Sequence, residues 1–406
     1  MSFAPDSRWI CQFPISQAIE GETCQRRMAE AGIGRVLFCT MIYSPYRLVL
    51  PRYPQKGIYS LEEGRYNFRP RAERYRDLPV RPTPSADFGD RDLLAEMVAG
   101  ARRARIEPGA WVTVFANGMI ARNHPAWAVH NLYDSADRLF LCFNNPEVRE
   151  YSWRVIAEIA ERYDVTEIIL DKIPQLCLEI NSLSGRIDPV LRVLGSFCFC
   201  EHCIAAAAGR GIDLRACREN SRAIAARSLA IPPHVVNALA DDLKGDTEVP
   251  LLLLDRPWIM DVLRFRIDCI RDFLRQARER IDAARPGVAL SMAFVPPVKV
   301  GHDASSPRSW LAAQSYAAYK DAASAMIHCV VHWESDIVEY ETRRAVDAVA
   351  GGTTRICTHV RAYGPARPEE MAGLARAVER GGAAGIGYFC YDLMTDEMLS
   401  AVAHSG

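Results

Sequence analysis

Cys198-Phe199-Cys200-Glu201-His202-Cys203 packs three thiols into six residues, and a backbone that turns between them can wrap all three around one ion. Thiolates at that density favour zinc, and a structural zinc takes four ligands, so a fourth must come from elsewhere. Cys142, Cys177, Cys217 and His202 are the candidates. The competing reading is a set of unrelated buried cysteines, since a free thiol packs as a small hydrophobe. A second kind of chemistry comes from carboxylates that end apolar runs: Asp171 after EIIL, Glu334 after MIHCVVHW, Asp392 in AGIGYFCYD, and Asp303 in VKVGHD. A carboxylate in such a place is costly to desolvate without partners. Two of them flanking a bond are what glycoside hydrolysis needs, one as acid and one as nucleophile or base. Each also has a plainer reading as a helix cap or the partner of a nearby Arg or Lys. Lys172, His332, Trp333, His359, Arg361 and Tyr43 sit at or near the ends of the same runs and suit the hydroxyls and faces of a sugar. A lone histidine or aromatic there is more often core.

The elements that must carry these residues repeat with one period. Apolar runs rich in β-branched and aromatic residues occur at 8–15, 35–43, 110–117, 165–173, 288–295, 326–334, 354–361 and 384–392. Amphipathic stretches separate them, among them 90–106, 146–163, 257–284, 335–349 and 368–380, several with Pro in the first turn or Gly after the last. Eight βα units without an intervening hairpin series predict an α/β fold, a single (β/α)8 TIM barrel over residues 1–406. Such a barrel needs about 250 residues, so the excess falls into insertions. These are expected at 44–89, after the second strand, and at 174–256, after the fourth; the first contains GIYSLEEGRYNF, which reads as a hairpin around Glu63-Gly64. Both follow strands and therefore belong to the C-terminal face, where barrel enzymes do chemistry. Cys142 follows the third strand on the same rim as the thiol loop, which makes it the preferred fourth ligand.

The CxCxxC loop after the fourth strand, with an upstream Cys in CFNNPEVREY, resembles the zinc loop of family 42 beta-galactosidases. It is still more similar to bacterial proteins called hypothetical glycosyl hydrolase family 6, in which a strand ending in Asp precedes a CxCxHC loop. The likeness covers roughly 110–210, and the remainder only through barrel periodicity. It implies a structural zinc on Cys142, Cys198, Cys200 and Cys203. One departure stands out: those galactosidases end the fourth strand with Asn-Glu and place a Glu on the seventh, whereas this chain has Asp171-Lys172 and the acid-free CTHVRAY. Several alpha-glycosidase barrels pair a nucleophile on strand four with an acid on strand six. That analogy implies Asp171 as nucleophile and Glu334 as acid/base of a retaining glycosidase, with Glu334 desolvated beside Trp333. Strand ends two apart lie on the order of 10 Å from one another, close enough for inward-leaning side chains to serve one bond.

Composition narrows the alternatives. With 49 Lys+Arg against 50 Asp+Glu, the net charge of −1 argues against a nucleic-acid partner. No 18-residue apolar run or secretory pattern is found at the start, so no membrane partner and a cytoplasmic location are expected. Thirteen cysteines, an odd number, speak for thiol or metal chemistry over a disulfide scaffold. A homo-oligomer is compatible with everything in the sequence. The insertion at 44–89 alternates Arg with Tyr, Phe and Pro; it reads either as a lid over an anionic sugar or phosphate, or as a surface hairpin whose arginines pair with Glu62, Glu63, Glu73 and Asp77. A barrel lyase or aldolase using Lys172 as a Schiff base competes with the glycosidase reading, as do a non-catalytic carbohydrate-binding barrel and a metal-dependent hydrolase.

Overall fold

The computed structural model describes residues 3–43, 47–173, 188–238, 241–294, 310–330, 332–364 and 366–405. Strands β1 (Arg8–Gln12), β2 (Arg35–Cys39), β3 (Glu107–Thr113), β4 (Glu167–Asp171), β5 (Ala289–Phe294), β6 (Ala325–Cys329), β7 (Arg355–Arg361) and β8 (Gly385–Phe389) pair in parallel and close into a barrel. The seam joins β1 to β8, with Arg8 opposite Ile386 and Ile10 opposite Tyr388. This is the predicted (β/α)8 barrel. Among the described residues no helix is long and apolar enough to cross a membrane.

The two-residue alternation of each strand sorts its side chains. Trp9, Leu37, Trp111, Ile169, Ala293 and Ile327 pack against one another inside the barrel. Their neighbours Ile10, Val36, Phe38, Ala110, Ile168 and Leu170 belong to the larger core shared with the helices. Interior space is tight: a Cβ at Gly387 would stand 2.0 Å from Trp9 Nε1, so only glycine lets the indole lie across β8. At the N-terminal end, Arg35 pairs with Glu107 at 2.7 Å and with Glu167 at 2.8 Å, linking three strands below the interior core.

The helices form for local reasons and are held by burial. Pro146–Arg162 begins at Asn145, whose side chain accepts the N–H groups of Glu147 and Val148, and it buries Val148, Val155, Ile156 and Ile159. Each such fully buried aliphatic side chain contributes about 1.5–3 kcal/mol before chain entropy is charged against it. Trp258–Ala284 packs alongside it.

Within 44–89 the chain forms a hairpin of Arg47–Val49 with Ile58–Ser60, Val49 opposite Ile58. The turn therefore lies at 50–57 and not at Glu63-Gly64 as the sequence suggests. Pro51, Pro54 and the positive φ of Gly57 make it, with Gly57 N–H donating to the Tyr53 carbonyl at 3.1 Å. Gly64, also at positive φ, instead bends the chain beside Asn117. The rest of the insertion is fastened by one buried carboxylate, Glu158, which accepts from Tyr75 Oη at 2.7 Å and from Arg71 N–H at 2.8 Å. Its arginines are largely engaged: Arg65 with Glu62, Arg71 and Arg74 with Glu161, and Arg69 with Asp90, while Glu63 and Asp77 are taken by Arg122 and Arg154. After β4, the described part of 174–256 is helical, including Pro189–Gly195, Glu201–Ala208 and Leu214–Leu229.

Candidate active site

A cavity of about 670 Å³ opens at the C-terminal mouth of the barrel, within the range of small-molecule sites. Strand alternation carries Asp171 into it, two residues beyond the interior Ile169. The strand ends there. Lys172 takes the left-handed conformation, φ 61°, which turns its side chain into the same cavity instead of out among the helices. Its ammonium stands 4.7 Å from the centre of the Tyr43 ring, a cation–π distance, and Asp171 Oδ1 accepts the Lys172 N–H at 2.7 Å. From β7 come His359 and Arg361, again two apart. His359 is buried, 3.5 Å from Cys11 Sγ through Nε2, and its desolvation pulls the imidazole down to about 4, so it is neutral at physiological pH. Tyr43, Lys172, His359, Arg361 and Asp171 thus line one cavity.

Other site residues read from the sequence lie elsewhere. The run 326–334 predicts a strand through Glu334, but β6 stops at Cys329; Glu334 opens the helix Ser335–Ala348, with its side chain 66% exposed. The expected desolvation beside Trp333 is absent, because the chain has left the barrel by then. His332 Nδ1 lies 3.7 Å from Glu334 Oε2, and the Trp333 ring sits 6.0 Å from the Arg361 guanidinium, so this stretch borders the mouth without lining the cavity. Asp392 is wholly buried behind the cavity wall, where it accepts the N–H groups of Phe13 and Ser16 at 2.6 and 2.7 Å at the start of the helix Pro14–Glu20. Burial raises it to about 6 despite those bonds. Asp303 lies outside the described residues.

Sequence reasoning missed part of the lining. Cys11, Cys39, Cys329 and Cys390 bring four thiols to the cavity, and burial pushes Cys39 and Cys329 up to about 12. Cys11 and Cys39 share the interior parity of Trp9 and Leu37, a signal legible in the strand pattern. Arg47 enters from the hairpin after β2, and no pattern in the sequence separates it from its paired neighbours.

Apart from the cavity, Cys142, Cys198, Cys200 and Cys203 are buried with their sulfurs all within 4.8 Å of one another. Cys142 Sγ is 3.4 Å from Cys200 Sγ and 3.5 Å from Cys203 Sγ. Hydrogen bonds among the four sulfurs push the Cys200 thiol below the usual range and those of Cys142 and Cys203 well above it. Tetrahedral zinc with Zn–S of about 2.3 Å separates its sulfurs by about 3.8 Å, close to the spacing here. The cluster could hold a metal ion. Cys217, on Leu214–Leu229, is buried outside it, and Cys177 lies outside the described residues.

Fold and cavity together define a (β/α)8 barrel with a polar site at its C-terminal mouth. No protein-family model matches the chain, and no curated protein matches its sequence. Solved structures do align with it. Alpha-L-fucosidase isoenzyme 2 from Paenibacillus thiaminolyticus matches with a TM-score of 0.54 at 12% identity, over 98% of this chain and 48% of its own. The beta-galactosidase of the Antarctic haloarchaeon Halorubrum lacusprofundi gives 0.57 at 14%, over 98% and 57%. The catalytic domain of beta-amylase from Paenibacillus polymyxa gives 0.58 at 10%, over 98% and 96%. The chain spans about half the length of the first two. At such identities the likeness is one of fold.

Proposed function

We propose that the protein is a retaining glycoside hydrolase that binds a carbohydrate in the barrel mouth, with Asp171 as nucleophile and Glu334 as acid/base. The observation that carries the reading is Asp171, the one carboxylate among the described residues that line the cavity. The structural neighbours named above as glycosidases support the general class. In this reading Lys172 keeps Asp171 company as a counter-charge, and neutral His359, Arg361 and Tyr43 meet sugar hydroxyls and faces. Glu334, exposed beside the mouth, hands its proton to a leaving group at the solvent side. The four cysteines hold a structural zinc: all four positions are protein thiolates, which leaves none open for catalysis.

The test compares Asp171→Asn and Glu334→Gln on activated aryl glycosides and on substrates with poor leaving groups, with azide added for rescue. Loss of the nucleophile should remove on the order of 10⁴-fold or more of the rate on both, a barrier increase of roughly 5 kcal/mol. Loss of the acid should weigh mainly on poor leaving groups. Near-parental rates in both variants would reject the pair. A second reading, a lyase acting through a Schiff base, is favoured by the left-handed turn that directs the Lys172 amine into the cavity. Borohydride trapping of a carbonyl substrate on Lys172 would decide for it.

A further inference from the structure

Charge in the cavity is unbalanced. Among the described lining residues one carboxylate, Asp171, faces three cations: Arg47 from the hairpin after β2, Lys172 from the end of β4 and Arg361 from the end of β7. Among the described lining residues nothing else restores the balance. His359 is neutral, the thiols of Cys39 and Cys329 are held protonated by burial, and two nearby acids lie off the lining, Asp392 turned away onto backbone N–H groups and Glu334 exposed to solvent beside the mouth. Neither Arg47 nor Arg361 makes an ion pair with a described carboxylate, unlike Arg65, Arg69, Arg71 and Arg74 in the same insertion. The three cations come from three separate elements of the mouth, so the excess is a property of the cavity and not of one helix face. All of this sits in a chain whose overall charge is −1. A cleft walled by low-dielectric groups and lined by one sign of charge concentrates ligands of the other sign.

We infer that the substrate is a glycoside whose sugar carries an anionic group, a carboxylate or a sulfate, bound by the Arg361 guanidinium with Arg47 and Lys172 around it. This rests on the glycosidase reading above and narrows its substrate. A guanidinium offers paired N–H donors that match two oxygens of either anion, and a neutral hydroxyl cannot use both. Cys11, Leu37, Trp111 and Phe389 leave the inner wall apolar, so the anionic group belongs at the charged rim and the unsubstituted face of the ring toward that wall.

Calorimetry on the intact chain with three matched pairs tests this: glucuronate with glucose, galacturonate with galactose, and galactose 6-sulfate with galactose. The acidic member of at least one pair should bind tenfold or more tightly than its neutral partner, with the gap narrowing as salt is raised. The first two pairs against the third tell carboxylate from sulfate. Arg361→Gln should abolish the preference and Arg361→Lys should keep part of it. Should Arg361→Gln fail to fold, exposed Arg47→Gln carries the test and should reduce the preference severalfold. Equal or tighter binding of the neutral sugar in every pair overturns the inference and leaves the glycosidase reading standing. So does an acid preference that survives both Arg361→Gln and Arg47→Gln. Binding of none of the sugars overturns the inference, while the glycosidase reading stands or falls on the rates of Asp171→Asn and Glu334→Gln.

Discussion

Cys200→Ser is the most informative single change outside the cavity. Cys142 and Cys203 are 61 residues apart, so an ion on the four sulfurs ties the segment after β3 to the helix Glu201–Ala208. Structural zinc sites of four ligands contribute about 10–16 kcal/mol of apparent binding energy, which is folding energy where the site forms only in the native chain. One ligand's share is then roughly 3–4 kcal/mol, and a hydroxyl replaces little of it. That corresponds to a loss of about two to three orders of magnitude in metal affinity. Cys217→Ser is the control, a buried thiol outside the cluster, for which about 1 kcal/mol and no change in metal content are expected. The assay is elemental analysis of purified protein together with melting curves before and after a chelator. Wild type should carry one zinc per chain and lose stability to the chelator; Cys200→Ser should carry far less and already melt lower. A metal-free wild type, or Cys200→Ser and Cys217→Ser that match in both metal content and melting temperature, would refute the reasoning.

Three further outcomes are expected. Lys172→Arg keeps the charge and removes the primary amine, so appreciable activity should remain; complete loss in a folded variant would favour the Schiff-base chemistry. Glu341, on the helix Ser335–Ala348, is buried with neither carboxylate oxygen hydrogen-bonded, and burial raises it to about 7 although Arg344 opposes the shift. A carboxyl raised in the folded state supports stability below its ordinary range and loses that support as pH climbs through about 7. Glu341→Gln should therefore gain roughly 1–3 kcal/mol on wild type between pH 5 and 8.5 in urea melts, and parallel pH profiles of the two proteins would contradict it. Asp392→Ala orphans the Phe13 and Ser16 N–H groups and should lower stability by about 1–2 kcal/mol, with kcat/KM changed only a few-fold; a collapse of kcat/KM at unchanged stability would return Asp392 to the site.

The barrel was legible because burial on both faces of a parallel strand writes a continuous apolar run: all eight runs overlap a barrel strand, six contain it whole, and the strands Glu107–Thr113 and Ala325–Cys329 begin three residues and one residue before their runs. Their ends were less so. CVVHWE continues apolar past the end of the strand at Cys329, where the last described bond to a neighbouring strand runs from the Val330 N–H to the His359 carbonyl at 2.9 Å, since hydropathy reports burial and not pairing. Lys172 shows the same gap in reverse: EIILDK reads as an unbroken strand, and only the backbone reveals the left-handed residue that redirects the amine. Asp392 looked like a mouth acid because its partners, the N–H groups of Phe13 and Ser16, are more than 370 residues away in sequence. The thiol cluster was readable from density alone, its fourth member from the adjacency of two loops on one rim.

Lys172 also sets the backbone against the side chain. The left-handed region disfavours any residue with a Cβ by about 1–2 kcal/mol, and glycine or asparagine would hold the same turn with less strain. Left to drift under pressure for stability alone, this position would lose its lysine. A lineage that keeps it there accepts a standing penalty on the fold at every generation, and the frequency of glycine at the position among descendants freed from their chemistry would read out how long ago that chemistry ceased to matter.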